Sequence, residues 1–132
     1  MKGKFPGAPK FAVLISDVKD IAKAHVACIG NNKVGGRRLI VGKDVKRLVE
    51  LSQLIAEAMP EYKKKLPTKE LPNLIVKLIS YIDSSAKTMI PDLGLMMQTD
   101  TSYAEEILGF KFKPAKGCIS ENAKSVVRLG LV

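Results

Sequence analysis

Residues 13–30 (VLISDVKDIAKAHVACIG) constrain the fold of this chain more than any other stretch. An apolar run at residues 11–15 is followed by Asp17 and by an amphipathic helical pattern that ends at Gly30. A short buried strand that leads directly into a capped helix is the basic unit of α/β proteins. The pattern therefore predicts an α/β fold organised around this strand and helix.

The ends of this helix are marked by residues with capping chemistry. Asp17 is the expected N-cap, because its carboxylate can accept hydrogen bonds from the free N–H groups of the first turn. Asp20 fits the reciprocal position of a capping box and favours the positive end of the helix dipole. An acid–base pair is the alternative role for these two carboxylates, and capping is preferred. Gly30 is expected at the C′ position. Small side chains would let one face lie close on a sheet: Ile21, Ala22, Ala24, Ala27 and Cys28.

The rest of the chain predicts a second short strand and about four further helices. Residues 37–42 (RRLIVG) are expected to form the strand, and residues 96–98 could form another brief one. Asp44 is expected to cap a helix that Pro60 terminates. Residues 66–72 contain two prolines and are expected to be extended. Thr101 or Asp100 is expected to cap residues 102–108, with Gly109 at C′, and Ser120 to cap the last helix. The later helices are predicted at residues 74–82, with a continuation at 83–89, and at 102–108 and 121–129.

Four segments carry a resemblance to a known family. Residues 17–26 (DVKDIAKAHV) resemble the DVRDVAxAHV segment in the C-terminal half of extended short-chain dehydrogenases/reductases. The most similar branch contains the dihydroflavonol reductases and related NAD-dependent epimerase/dehydratase-like enzymes. Lys19 stands where that family usually has Arg, which keeps the charge but loses the fork geometry. Three other segments match in the family's order: KGKFPGAPK (2–10), EEILGFKFKP (105–114) and VVRLGLV (126–132).

The resemblance implies the C-terminal portion of such an enzyme. The expected architecture is a partial Rossmann-type sheet of two short strands with a mostly helical C-terminal substrate lobe of about five helices. Residues 1–132 would form a single unit, and the N-terminal dinucleotide-binding half would be absent. In the intact family, NAD(P) is the cofactor and a small carbonyl compound is the substrate. The partner expected for this chain is a complementary Rossmann half or a second copy of itself.

The residues that perform the family's chemistry are missing from this sequence. No Gly-rich GxGxxG turn is present to bind a pyrophosphate. The family's catalytic signature is Tyr-x-x-x-Lys, and none of the three tyrosines fits it. Leu66, Ser85 and Ile107 stand four residues after Tyr62, Tyr81 and Tyr103, respectively. We therefore predict no catalytic, cofactor-binding or metal-binding residues here, and no catalysis by this chain alone.

Individual residues with reactive side chains also favour structural roles. His25 could be a general base, but a helix residue bonded to a backbone group is the preferred interpretation because no partner stands at motif spacing. Cys118 could be a nucleophile, and a small buried hydrophobe is preferred. Met96 and Met97 could line an apolar pocket, and core packing is preferred.

The net charge of +9 leaves a second class of function open. A polyanion such as nucleic acid or an anionic lipid surface is one interpretation, and a solvated lysine-rich surface is the other. Eighteen of the 22 basic residues are lysines spread along the chain, and Trp is absent, which argues against nucleic acid. The alternatives to a reductase part are a non-catalytic basic interaction protein and a non-functional remnant. The absence of a signal-like or membrane-spanning segment and the two cysteines predict a cytoplasmic protein with reduced thiols.

Overall fold

The computed structural model describes residues 7–131, and within them helices predominate over short strands. The strands are β1 (Ala8–Pro9), β2 (Ala12–Ile15), β3 (Asp44–Arg47) and β4 (Glu70–Leu71). The α-helices are α1 (Val18–Cys28), α2 (Leu48–Ala58), α3 (Asn73–Ile79), α4 (Ser84–Thr88), α5 (Ser102–Leu108) and α6 (Ala115–Arg128). Two 3₁₀ helices lie at Pro60–Lys65 and Ile90–Asp92. The predicted α/β class, with a small sheet and a helical lobe, is confirmed.

The strands form two small pairs. Strand β2 runs antiparallel to β3, with Ala12 opposite Arg47 and Ile15 opposite Asp44. Strands β1 and β4 are parallel over two residues. The first pair places the β2–α1 unit beside α2, which follows β3 directly.

The β2–α1 unit forms as the sequence predicts. The Asp17 carboxylate accepts the backbone N–H of Lys19 at 2.8 Å, so Asp17 is the N-cap of α1. Gly30, with φ of +71°, follows the C-cap residue Ile29. The capping-box role of Asp20 is wrong, because its carboxylate accepts the backbone N–H of Lys113 at 2.6 Å.

The second predicted strand is wrong. Residues 37–42 belong to no strand of the described chain, and the strand that pairs with β2 lies at β3 instead. The helix expected to start after Asp44 therefore begins at Leu48, where Glu50 accepts the backbone N–H of Arg47 at 2.7 Å. Residues 44–47 lie beside β2, and ladder hydrogen bonds with β2 replace the helical ones there.

The later helices agree with the predictions in part. Helices α3, α4 and α5 form near the predicted positions, and Gly109 ends α5 with φ of +75°. Residues 96–98 are not in a strand. Helix α6 begins at Ala115, so Ser120 lies inside the helix and the expectation that it is the cap is wrong. The N-cap residue is Pro114, whose fixed φ suits a helix start.

Two small clusters form the core. The first joins Ala24 of α1 to Ala104 and Leu108 of α5 and to Phe112, with Leu39 and Val41 packed against it. Of the predicted small-residue face of α1, Ala24, Ala27 and Cys28 thus pack on α5 and on residues 39 and 41 and not on a sheet, while Ile21 and Ala22 are exposed. The second cluster joins Ile15 of β2 to Ala115 and Cys118 of α6, with Leu51 and Leu54 of α2 beside it.

Three buried or half-buried carboxylates hold the turn before α6. The backbone N–H of Phe112 donates to Glu105 at 3.0 Å, and that of Lys113 donates to Asp20. The N–H of Ala115, in the first turn of α6, donates to Asp44 at 2.7 Å. These bonds tie the C-terminal helix to α1, β3 and α5, because each carboxylate lies on a different element.

Candidate functional site

A groove of about 770 Å³ lies between the start of α1 and one face of α6. We call it the α1–α6 groove. Its floor includes Ile15 at the end of β2 and Cys118 of α6, and its rim carries Lys19, Glu121 and Arg128. It is lined by residues 14–19, where β2 leads into α1, and by residues of α6. Asp17 and Lys19 of the DVKD motif are among its lining residues.

Lys113 connects the charges on the wall of this groove. Its ammonium group lies 3.4 Å from the Asp17 carboxylate and also pairs with Glu121. Glu121 in turn lies 3.2 Å from the ammonium group of Lys19. The result is an alternating chain of charges, Asp17–Lys113–Glu121–Lys19, that links the N-terminus of α1 to α6.

The pairing shifts the pKa values away from neutrality. The Lys19 N–H bond and the Lys113 charge lower the pKa of Asp17. Pairing with Lys113 and Lys19 lowers the pKa of Glu121, while Glu121 and Asp17 raise the pKa of Lys113. A general acid or base needs a pKa near the working pH. These groups are charged at neutral pH and suit binding and positioning better than proton transfer.

Cys118 is a buried thiol in this groove. Desolvation and the neighbouring Asp17 charge raise its pKa to about 11. A nucleophilic cysteine needs a lowered pKa, since the thiolate is the reactive form. The structural interpretation of Cys118 is therefore supported by its burial and its pKa.

The other candidate residues do not converge on the groove. His25 lies exposed on α1, with Nδ1 2.8 Å from the carbonyl oxygen of Ile21, as the structural interpretation expected. Met96 and Met97 are 50% and 53% exposed, so the expectation that they fill the core is wrong. They lie within residues 93–101, which are in no helix or strand.

Two important charged residues were missed by sequence reasoning. Lys113 lies in the EEILGFKFKP segment and was assigned no role, yet its ammonium group pairs with Asp17 and its backbone N–H donates to Asp20. Glu105 lies in the same segment and was also assigned no functional role, yet it is 4% exposed and accepts hydrogen bonds from Lys43 at 2.7 Å and from Lys111 at 2.9 Å. Lys43 and Glu105 are 62 positions apart and Lys113 and Asp20 are 93 apart, so no local sequence spacing indicates these contacts.

The described residues contain no cluster of three His, Cys, Asp or Glu side chains that could hold a metal ion. In the same part of the chain, no helix is long and apolar enough to cross a bilayer. At least eight basic side chains form ion pairs with carboxylates, among them Lys46, Arg47 and Lys116.

The fold resembles that of known reductases. The sequence matches no protein-family model, and no curated protein matches it significantly. Among solved structures, yeast methylglyoxal/isovaleraldehyde reductase Gre2 complexed with NADPH is 22% identical, with a TM-score of 0.70 over 100% of this chain and 38% of the reductase. Gre2 from Candida albicans in complex with NADPH is 20% identical, with a TM-score of 0.67 over 96% of this chain and 34% of that one. The structure of gox2253 is 17% identical, with a TM-score of 0.70 over 98% and 41%.

These matches confirm the sequence resemblance at the level of fold. The chain has the fold of a portion of these solved structures, two of which are of Gre2 in complex with NADPH. It spans 34% to 41% of the length of these three solved structures.

Proposed function

We propose that this chain is the substrate-side part of an NAD(P)-dependent oxidoreductase that reduces a small aldehyde or ketone. Residues 1–132 would act as one unit, in the cytoplasm, beside a dinucleotide-binding part that this sequence does not contain. The observation that carries the proposal is the structural match over essentially the whole chain to a portion of NADPH-bound reductases. Alone, the chain would not catalyse reduction.

The site geometry supports a positioning role. The charges of Asp17, Lys113, Glu121 and Lys19 pair with one another, the Cys118 thiol has a raised pKa, and His25 is exposed on α1. No Tyr-x-x-x-Lys or Gly-rich turn occurs in the sequence. Such a surface can hold a substrate or a neighbouring domain in place, while hydride transfer requires a nicotinamide bound elsewhere.

The test is reconstitution with the polypeptide encoded directly upstream of Met1. The chain, the upstream polypeptide and an equimolar mixture are assayed for NADPH oxidation with methylglyoxal and with isovaleraldehyde. We expect activity only in the mixture. Reduction by the chain alone, or an upstream region that encodes neither a Gly-rich turn nor Tyr-x-x-x-Lys, would contradict the proposal.

A further inference from the structure

The α1–α6 groove combines an apolar floor with two cationic side chains at one end of α6. Leu14 and Ile15 of β2 and Ile119 of α6 line its apolar part. Lys124 and Arg128 line it from later turns of α6. The groove volume of about 770 Å³ lies within the range of about 300–1,000 Å³ that is usual for small-molecule sites. The groove is therefore large enough for a small amphipathic molecule.

The two carboxylates that line the groove are already paired with cations. The Asp17 carboxylate lies 3.4 Å from the ammonium group of Lys113. Glu121 pairs with the same ammonium group and, at 3.2 Å, with that of Lys19. Because each negative charge has a positive charge beside it, these acids do not give the groove a net negative potential.

Lys124 and Arg128 leave positive charge on the α6 side of the groove. Both side chains are exposed, and within residues 7–131 neither forms an ion pair with a carboxylate. Residues four apart on a helix have Cβ atoms about 5–6 Å from each other, so the two like charges repel. An anion between them removes this repulsion, and a guanidinium group binds a carboxylate through two parallel hydrogen bonds.

We infer that the α1–α6 groove binds an amphipathic organic carboxylate. The carboxylate of the ligand lies between Lys124 and Arg128, and its apolar chain lies on the apolar floor of the groove. The ligand charge is complementary to the two cations, and contact of the chain with the floor removes apolar surface from water. This inference uses only the residues of the groove and does not depend on the proposed function.

Titration with octanoate, octanol and octylammonium tests the inference, because the three probes share one chain and differ in charge. The measurement is NMR of the isotope-labelled chain, with amide shifts followed at residues 14–19 and 118–128. We expect saturable shifts at these residues with octanoate, and binding of octanol and octylammonium weaker by about tenfold or more, since only the carboxylate bonds to the two cations. The absence of saturable shifts with octanoate, or equal affinity for the three probes, would overturn the inference.

Substitutions on α6 locate the carboxylate. Lys124→Gln and Arg128→Gln each remove one cation of the groove, while Lys116→Gln removes a cation of the same helix that does not line it. We expect each groove variant to bind octanoate about tenfold more weakly and octanol as before, and the Lys116 variant to bind octanoate as the wild type does. All three side chains are exposed, and unchanged shifts away from the substituted residue show that each variant is folded. Unchanged octanoate affinity in both groove variants, or an equal loss in all three variants, would overturn the inference.

Discussion

Lys113 shows how one residue can organise a site without being part of a motif. Its side chain pairs with Asp17 and Glu121, and its backbone N–H donates to Asp20. The two acidic residues of the DVKD motif therefore act on the same distant residue, one through the side chain and one through the backbone. The DVKD motif thus connects the start of α1 to the residue just before α6.

The N-cap role of Asp17 can be tested by substitution. Asp17→Ala should destabilise the protein by about 0.5–2 kcal/mol, because the N–H of Lys19 loses its acceptor. Asp17→Asn and Asp17→Ser should keep most of the wild-type stability, since both side chains can cap a helix. Urea denaturation midpoints of the four proteins provide the measurement. An Asn variant as unstable as the Ala variant would indicate that the ion pair with Lys113 dominates over capping.

Glu105 should make the stability depend on acidic pH. Bonds from Lys43, Lys111 and the Phe112 N–H lower its pKa from 4.5 to about 2. Because the folded-state pKa is lowered, the stabilisation is complete above pH 4.5 and is lost as the pH falls toward 2. Urea midpoints measured between pH 6 and pH 2.5 should fall more steeply for the wild type than for Glu105→Gln. If the urea midpoints of the two proteins fell in parallel with pH, the lowered pKa of Glu105 would be contradicted.

Among the elements, the strand predicted at residues 37–42 is absent, and β3 forms where the sequence predicted the start of a helix. The RRLIVG stretch has strand composition, but a strand exists only with a hydrogen-bonded neighbour. Within the described residues, β2 is paired with β3, and no other strand lies beside residues 37–42. The composition of residues 37–42 therefore favours a strand that does not form in this chain.

The close approach of residues 37–42 to β2 gives a matched glycine test. Gly42→Ala places a Cβ within 3.0 Å of Leu14, Ser16 and the carbonyl of Ile15 and should cost about 1–3 kcal/mol of stability. Gly35→Ala is the control, because its nearest heavy atom is the Asn32 carbonyl oxygen at 3.8 Å. Thermal melts of both variants should show a lower midpoint for Gly42→Ala alone. Equal melting temperatures would mean that the segment moves away from β2 at little cost.

At the scale of the whole molecule, the chain leaves much apolar surface uncovered. Val18 of α1 is 76% exposed and Ile82 after α3 is 94% exposed. Within the described residues, no large side chain is more than 98% buried. Large apolar patches on a protein surface usually mark contacts with another chain or domain.

We therefore expect the isolated chain to be marginally stable or to self-associate. Sedimentation should show mass that rises with concentration, or else a hydrophobic dye should bind and the thermal transition should be broad. A compact monomer at high concentration, with a sharp melt and protected amides in β2 and residues 38–42, would show that the chain is a complete domain.

Nicotinamide binding should be absent from the isolated chain. The sequence has no Gly-rich turn to approach a pyrophosphate. Titration calorimetry with NADPH at micromolar protein should show no saturable heat. Saturable binding would require a different cofactor site and would contradict the proposed division of the enzyme into two parts.

The sequence alone determined the β2–α1 unit, the Asp17 cap, the Gly30 and Gly109 helix ends and the approximate positions of α3 to α5. These features depend on side-chain period, capping and backbone freedom within a few neighbouring residues, so local spacing records them. Tertiary structure decided where the second strand lies, which partners Asp20, Asp44 and Glu105 bind, and that Lys113 joins the charges of the α1–α6 groove. Those outcomes depend on contacts between residues far apart in sequence, and hydrogen bonds across such distances form only when packing brings the elements together.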